Sequence, residues 1–380
     1  MPPRSRRAWD WIHTWSSLIC TAFMLVVCIT GLPLIFADEI AELTDRQVKQ
    51  QSIPAGTQRA TIDSVVAAAV AQVPGNVPLY LFTEGDHPDL WYVKLDSHVD
   101  TDESKAVLVA VDARDAHVLG IPDFNRGFMG IVFRLHVDLF AGLPGKVFLG
   151  LMGVLLLIAI VSGMVLYPAF MRKLDFGTVR HERSWLIRWL DLHNLFGAVT
   201  LCWALVVGAT GVVNTWADLI LSSWQQEQMT NLAAGRVQRV LDGVEYYGID
   251  AQRESAAFAL RRAMSAEPDM RLSMMAWPGT LLSTKEHFAI MLQGATPFTS
   301  HLKQALLVNP QSGEVLQAGT RPWYVTMLQL SIPLHFGDYG GFAMKLLWAA
   351  IDLMTIVVLV SGLYLWLSRR AHSAKPRLKL

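Results

Sequence analysis

Apolar residues gather in four long runs, at about residues 11–36, 147–170, 186–217 and 342–367. Each meets the roughly 20 mostly apolar residues that a bilayer crossing needs. Between the runs the pattern shortens. Residues 61–73 are rich in Ala and Val with one helical face, and Thr61 followed by Ser64 offers cap chemistry at its start. Residues 79–83, 90–95 and 107–111 are short β-branched and aromatic runs separated by Gly85, Asp86, Pro88 and by Asp100 to Glu103, which predicts a helix on an antiparallel meander. The order recurs downstream, with a helix over 254–266 and strands over 272–276, 287–292 and 305–308. One helix and three strands enclose little core, so each such piece is expected to lean on its twin or on the membrane helices. Short apolar stretches at 128–140 and 323–336 follow, broken by Gly142, Pro144, Gly145 and by Gly337, Gly340, Gly341. They are expected to lie along, or dip into, the outer membrane surface.

The patterns are two copies of one. Trp9, His13, Val26, Val27, Thr30 and Gly31 recur in register as Trp189, His193, Val206, Val207, Thr210 and Gly211. Leu135, His136, Lys146, Ser162 and Gly163 recur as Leu334, His335, Lys345, Ser361 and Gly362. The strand endings echo too: Val111, Asp112, His117, Val118 and Leu119 match Val308, Asn309, Glu314, Val315 and Leu316, with Asp115 and with Ser312 and Gly313 as turn residues.

Composition agrees with a membrane protein: 52% of the 380 residues are hydrophobic. The 32 basic and 32 acidic residues balance, so there is no overall field to attract nucleic acid, and placement of charge is what informs. Arg4, Arg6 and Arg7, the loop with Arg172, Lys173, Arg180, Arg183 and Arg188, and the tail with Arg369, Arg370, Lys375, Arg377 and Lys379 fall on one side of the four spans. Basic flanks stay cytoplasmic, so both termini are expected inside and the two long segments outside, in a bacterial periplasm. The first run is too long, and lacks the small-residue cleavage pattern, for a signal peptide; it reads as an uncleaved anchor. Cys20, Cys28 and Cys202 all sit in apolar runs and read as small buried hydrophobes.

The duplication puts four histidines at matched places. His13 and His193 follow the start of their helices by about one turn, at the cytoplasmic level. His136 and His335 precede the outer ends of theirs. A single His near a helix end is ordinarily an interfacial hydrogen-bonding residue; two matched couples at two depths are what two bis-histidine b-type haems require. Sequence alone leaves open a crossed pairing within one copy. With no Cys-x-x-Cys-His, any haem is held noncovalently. Trp9, Trp11, Trp15, Phe196, Trp203, Phe128, Phe133, Phe140 and Phe336 are candidates to wall a macrocycle, or else form an interfacial belt. Arg134, Arg188, Lys146 and Lys345 are candidates for propionates. Zinc or copper is the competing use, but a zinc site takes three or four ligands, and Asp138 and Asp338 are out of register. Asp352, deep in the last span with Gly153 as its counterpart, reads as either a hydrogen-bonded structural residue or a proton-handling one. His87, His98, His117, His181, His287, His301 and His372 are unmatched, with solvated surface as the default.

The basic, Trp-rich start with His13, the two PepSY-like strand endings, the Leu-His pairs and the Ser-Gly helix ends together resemble the PepSY-associated transmembrane proteins, over nearly the whole chain. Within them they resemble the inner-membrane ferric-siderophore reductases. The resemblance implies a haemoprotein that reduces ferric siderophores, such as the hydroxamate ferrioxamine, in the periplasm and releases Fe(II), with His13, His136, His193 and His335 as ligands and an unidentified cytoplasmic electron donor. The expected fold is an integral membrane α-helical protein of four transmembrane helices with an internal two-fold repeat and two small periplasmic α+β PepSY-like domains. The divisions are 1–37 (first span), 38–126 (first periplasmic domain), 127–172 (interfacial helix and second span), 173–184 (cytoplasmic loop), 185–220 (third span), 221–321 (second periplasmic domain), 322–369 (interfacial helix and fourth span) and 370–380 (tail). The alternative is a non-enzymatic protein whose PepSY domains bind a peptide or regulate a protease. A transporter is disfavoured because no pair of broken helices marks a midplane site.

Overall fold

The computed structural model describes residues 3–43, 59–83, 87–101, 103, 105–122, 127–171, 174–217, 219–220, 223–224, 238–241, 255–296, 303–317, 322–337 and 340–373. Gly85, Asp86, Arg172, Lys173, Glu254, His301, Asp338, Lys375, Arg377 and Lys379 lie outside these. The chain divides into a helical unit (Met1–Leu43, Asn125–Leu219, Ser331–Leu380) and a sheet unit (Thr44–Phe124, Ile220–Leu330).

Four helices of the helical unit are long and apolar enough to cross a membrane: α1 (Pro3–Ile35), α5 (Leu143–Met171), α6 (Trp185–Thr215) and α9 (Gly341–Ser373). The sequence places all four, and the chain is a membrane protein. α1 packs on α5 and α9, and α6 packs on the same two, so α1 and α6 stand across a diagonal of the bundle. Cys20, Met24, Met152 and Leu359 close its centre, with Phe23 edge-on to Phe148 at 4.8 Å. A short α2 (Ala37–Leu43) follows α1. Two further helices, α4 (Gly127–Val137) and α8 (Trp323–Phe336), precede α5 and α9. They stop where Leu139, Phe140 and Gly142 (φ 51°, 62° and 60°), and Gly337 and Gly341 (φ 72° and 59°), turn the chain through the left-handed region. Behind the basic loop, Asp191 on α6 is fully buried and takes three hydrogen bonds from Arg180, from the backbone N (3.0 Å), Nε (2.9 Å) and a terminal nitrogen (2.6 Å). This clamp fixes the loop to the start of α6.

In the sheet unit, α3 (Ile62–Gln72) precedes β1 (Val77–Thr83), β2 (Leu90–Asp96), β3 (Val107–Asp112) and β4 (Val118–Gly120). After β5 (Gln238–Leu241), α7 (Ala256–Ala266) precedes β6 (Met270–Ala276), β7 (Phe288–Gly294), β8 (Lys303–Val308) and β9 (Val315–Gln317). Thr61 and Ser64 make a reciprocal capping box on α3, and the Ser255 side chain caps α7 through Phe258 N at 3.0 Å. The two long segments between spans, expected as small domains of three strands each that lean on each other or on the membrane helices, share one antiparallel nine-stranded sheet in the order β4-β3-β2-β1-β6-β7-β8-β9-β5. The joint is β1 on β6, with Leu81 opposite Met275, and the Thr83 hydroxyl donates to Leu272 O at 2.7 Å. The physical reason is area and edges: neither half buries enough apolar surface alone, and each leaves an open edge strand that its twin satisfies. One continuous core results, in which Val65 and Ala69 of α3 and Ala259 and Ala263 of α7 meet Leu81, Val93, Val109, Met275, Ile290 and Leu306.

The matched strand endings are matched hairpins. Asp112 N donates to His117 O at 2.9 Å and Asn309 N to Glu314 O at 3.0 Å. The left-handed corner is Ala116 in the first (φ 62°) and Gly313 in the second (φ 69°). Burial pushes the Asp112 carboxyl up, but the Arg114 guanidinium and backbone N–H beside it outweigh this and hold it below the usual carboxylate range. His287, assigned by default to solvated surface, is instead half-buried at the start of β7, with Nδ1 2.8 Å from Thr284 Oγ1. Burial lowers its pKa below the ordinary imidazole value, against Glu286 and Glu314.

Candidate cofactor site

His13 on α1 and His193 on α6 face each other across the bundle diagonal, with ring centres 6.5 Å apart and planes at 71°. His136 on α4 and His335 on α8 make a second couple, 6.3 Å apart at 60°. The crossed pairing within one copy is not what forms. Along α1, His13 and Thr30, which touches His136, are 17 residues apart, which at the helical rise separates the two couples by about 25 Å, close to the thickness of a bilayer core.

Each ring is held the same way, by a hydroxyl-glycine step on a neighbouring helix. His13 Nδ1 lies 2.9 Å from Ala159 O and 3.2 Å from Ser162 Oγ on α5. His193 Nδ1 lies 3.0 Å from both Val358 O and Ser361 Oγ on α9. His136 Nδ1 lies 2.9 Å from Val27 O and 3.2 Å from Thr30 Oγ1 on α1. His335 Nδ1 lies 3.1 Å from Val207 O and 3.4 Å from Thr210 Oγ1 on α6.

These contacts fix the tautomer. A carbonyl only accepts, and each hydroxyl already spends its proton on its own helix: Ser162 on Ile158 O (2.8 Å), Ser361 on Val358 O (2.9 Å), Thr30 on Val26 O (2.7 Å) and Thr210 on Val206 O (2.7 Å). Nδ1 must therefore carry the hydrogen, leaving the Nε2 lone pair free on all four rings. Among the described residues no group donates a hydrogen bond to any of these Nε2 atoms. Four equivalent ring nitrogens left without a partner on part-buried histidines are positioned to take a ligand.

The glycine after each hydroxyl completes the seat. A Cβ on Gly163 or Gly211 would stand 3.1 Å from Cε1 of His13 or His335, and on Gly362 or Gly31 it would stand 3.3 or 3.4 Å from that of His193 or His136. The sequence displays these dipeptides, Thr30-Gly31, Ser162-Gly163, Thr210-Gly211 and Ser361-Gly362, as part of the echo. Their task was missed; the usable signal was one hydroxyl-glycine step for every matched histidine.

A metal held between the two imidazoles of a couple would fit this spacing. Imidazole nitrogen stands about 2 Å from a metal and the ring centre about 1 Å further, so two rings sharing one metal would be about 6 Å apart centre to centre. Among the described residues no three His, Cys, Asp or Glu side chains gather as metal ligands, which leaves the three- or four-ligand geometry of zinc unsupported.

The surrounding candidates divide. Lys345, proposed for an anionic group, is already paired with Asp38 (3.2 Å) and Glu39 (2.9 Å). Arg134 lies over the Phe140 ring at 4.8 Å, and Arg188 keeps a buried Nε with no partner among the described residues. Phe336 stands edge-on to His335 at 5.7 Å, while Trp203 pairs with Trp348, whose Nε1 donates to His335 O at 3.3 Å. Trp11, Phe128 and Phe133 are exposed, as lipid- or interface-facing rings are. His87, His98, His117 and His181 are exposed and join no cluster of ligands among the described residues.

Comparison with known proteins agrees with this architecture. An uncharacterized protein of Pseudomonas aeruginosa is 28% identical over 268 residues, an alignment covering 66% of this chain and 66% of that protein, just under two thirds of its length. The model of the PepSY-associated TM region matches residues 10–369, and the chain belongs to that family.

Proposed function

We propose that this protein is a di-haem b-type reductase of the bacterial inner membrane that passes electrons outward to ferric siderophores and so releases Fe(II). The observation that supports this most is the pair of imidazole couples, at 6.5 and 6.3 Å, with every Nδ1 engaged and every Nε2 free. The donor set fits haem better than a bare ion: two nitrogens per site, with glycine seats against the rings. Haem bound there would supply reversible one-electron chemistry, and the protein's part is placement and electrostatics. Four hydroxyl-carbonyl seats fix the ligand rings in orientation and tautomer, as outer-shell partners of metal-bound histidines do. Arg188 and Arg134 lie within a few positions of His193 and His136 along the chain and are the proposed partners of propionates.

Orientation follows from Arg4, Arg6 and Arg7, the loop through Arg180, Arg183 and Arg188, and Arg369 and Arg370, which together favour a cytoplasmic face at the His13–His193 end. The sheet segments leave the membrane at the other end, where His136 and His335 lie, and face the periplasm. One electron enters from a cytoplasmic donor and one leaves to the chelated Fe(III), giving Fe(II). Hydroxamate chelators such as ferrioxamine are the proposed class, because they hold Fe(III) far more tightly than Fe(II) and reduction is then release.

The test is direct. The purified protein is expected to show a Soret band that shifts on dithionite and a pyridine haemochrome of two haems per chain. Mixed with a ferric hydroxamate siderophore, the reduced protein reoxidises while ferrozine traps Fe(II). His136→Ala or His335→Ala removes about half the haem and this reaction. A colourless protein, or one that no ferric chelate reoxidises, defeats the proposal.

A further inference from the structure

The helical unit carries one ionisable group that the duplication does not explain. Asp352 lies inside α9, 5% exposed, and its Oδ2 is buried with no hydrogen-bond partner among the described residues. Its counterpart in the other half is Gly153, which packs on Val212. A carboxylate so placed in a membrane helix is costly, and such residues are kept for function. Its neighbours show which function. A Cβ built on Gly31 would stand 4.0 Å from Asp352 Oδ2 and 3.4 Å from His136 Cε1, so one glycine separates the carboxylate from the outer imidazole couple. The other group acting on it is the Cys28 thiol, from the same face of α1. Lys345, two turns outward on α9, is committed to Asp38 and Glu39 and does not neutralise it.

We infer that Asp352 lowers the reduction potential of the outer centre. The inference rests on the haem reading of the imidazole couples. A ferric porphyrin with two neutral imidazoles carries one net positive charge and the ferrous form none. A carboxylate a few ångströms beyond the ligand ring, in surroundings of low effective dielectric, therefore favours the oxidised form. The lowered potential makes the outer centre more strongly reducing where a tightly chelated Fe(III), itself hard to reduce, has to accept the electron. Loss of Fe(II) from the chelate then draws the electron across.

Redox titration of the purified two-haem protein tests this, with Asp352→Asn and Asp352→Glu beside the wild type. In Asp352→Asn one haem is expected to become about tenfold easier to reduce, a rise of about 59 mV for one electron. The other midpoint and both Soret intensities stay unchanged, and the shifted component is the one lost in His136→Ala. Asp352→Glu keeps the charge and stays near the wild-type midpoint. Should Asp352→Asn fail to accumulate, Asp352→Ser is titrated instead, with the same expectation. Two haems whose midpoints do not move, or move together by the same amount, overturn this inference and leave the haem reading standing. A protein without haem overturns both.

Discussion

Each of the four paired histidines depends on an atom that is missing, the Cβ of the glycine facing it. The four clearances are unequal, so alanine should act unequally. At Gly163 and Gly211 the added methyl sits 3.1 Å from the ring, tighter than carbon atoms ordinarily approach, and His13 or His335 has to give by a few tenths of an ångström. Overpacking of that kind costs about 1–3 kcal/mol. At Gly31 the methyl sits at 3.4 Å, ordinary contact. Gly163→Ala and Gly211→Ala are therefore expected to lose haem from the inner and outer site respectively, and Gly31→Ala to retain it, as read by pyridine haemochrome content and the low-spin ferric EPR signal. Equal loss from all three would mean that the glycines serve helix packing alone. The two couples were legible in the sequence, since a matched offset singles out His13, His136, His193 and His335 from seven unmatched histidines, and the structure brings these four together two by two. Their seats were not, because Ser162 touches a ring 149 positions away and Ser361 one 168 away, and no local pattern announces a contact of that range.

The same range hides the sheet. Strand alternation revealed three strands in each outer segment, and the Thr61–Ser64 cap marked the start of α3 correctly. The short fourth strands, Val118–Gly120 and Val315–Gln317, were visible only as echoes, and Gln238–Leu241 not at all, since Gln-Arg-Val-Leu has neither the length nor the alternation to stand out. Nor does a strand name its partner. Tyr80, Leu81 and Phe82 of β1 are written as any half-buried strand is, and their pairing with Ala276, Met275 and Met274 of β6 follows from the need to cover two open edges at once. A consequence can be measured. The fragment Thr44–Phe124 alone loses the partner of β1 and the packing of Ala256, Ala259 and Ala263 against the shared core. It is expected to show no cooperative thermal transition by circular dichroism, or to associate through β1, whereas Thr44–Phe124 joined by a flexible linker to Ile220–Leu330 melts cooperatively. A monomeric, cooperatively melting Thr44–Phe124 would show that one half is a domain by itself.

In the proposed reading the two imidazole couples, about 25 Å apart, divide the labour of crossing a bilayer, and the division can be separated experimentally. Because α1 carries both His13 and the Val27–Thr30 seat of His136, and α6 carries both His193 and the Val207–Thr210 seat of His335, the two couples share a scaffold but no ligand. Removing one couple therefore leaves the other built. In His13→Ala with His193→Ala, the outer centre is expected to remain. The dithionite-reduced protein should still be reoxidised by a ferric siderophore at close to the wild-type rate, since chemical reduction bypasses the inner side. In membrane vesicles fed only through the cell's own donors, the same variant is expected to reduce the chelate at least an order of magnitude more slowly, because the route to the outer couple is cut. His136→Ala with His335→Ala gives the converse, an inner centre that fills with electrons and does not empty into the chelate. Stopped-flow absorbance separates these outcomes, and equal behaviour of the two double variants in both assays would mean that the couples do not act in series.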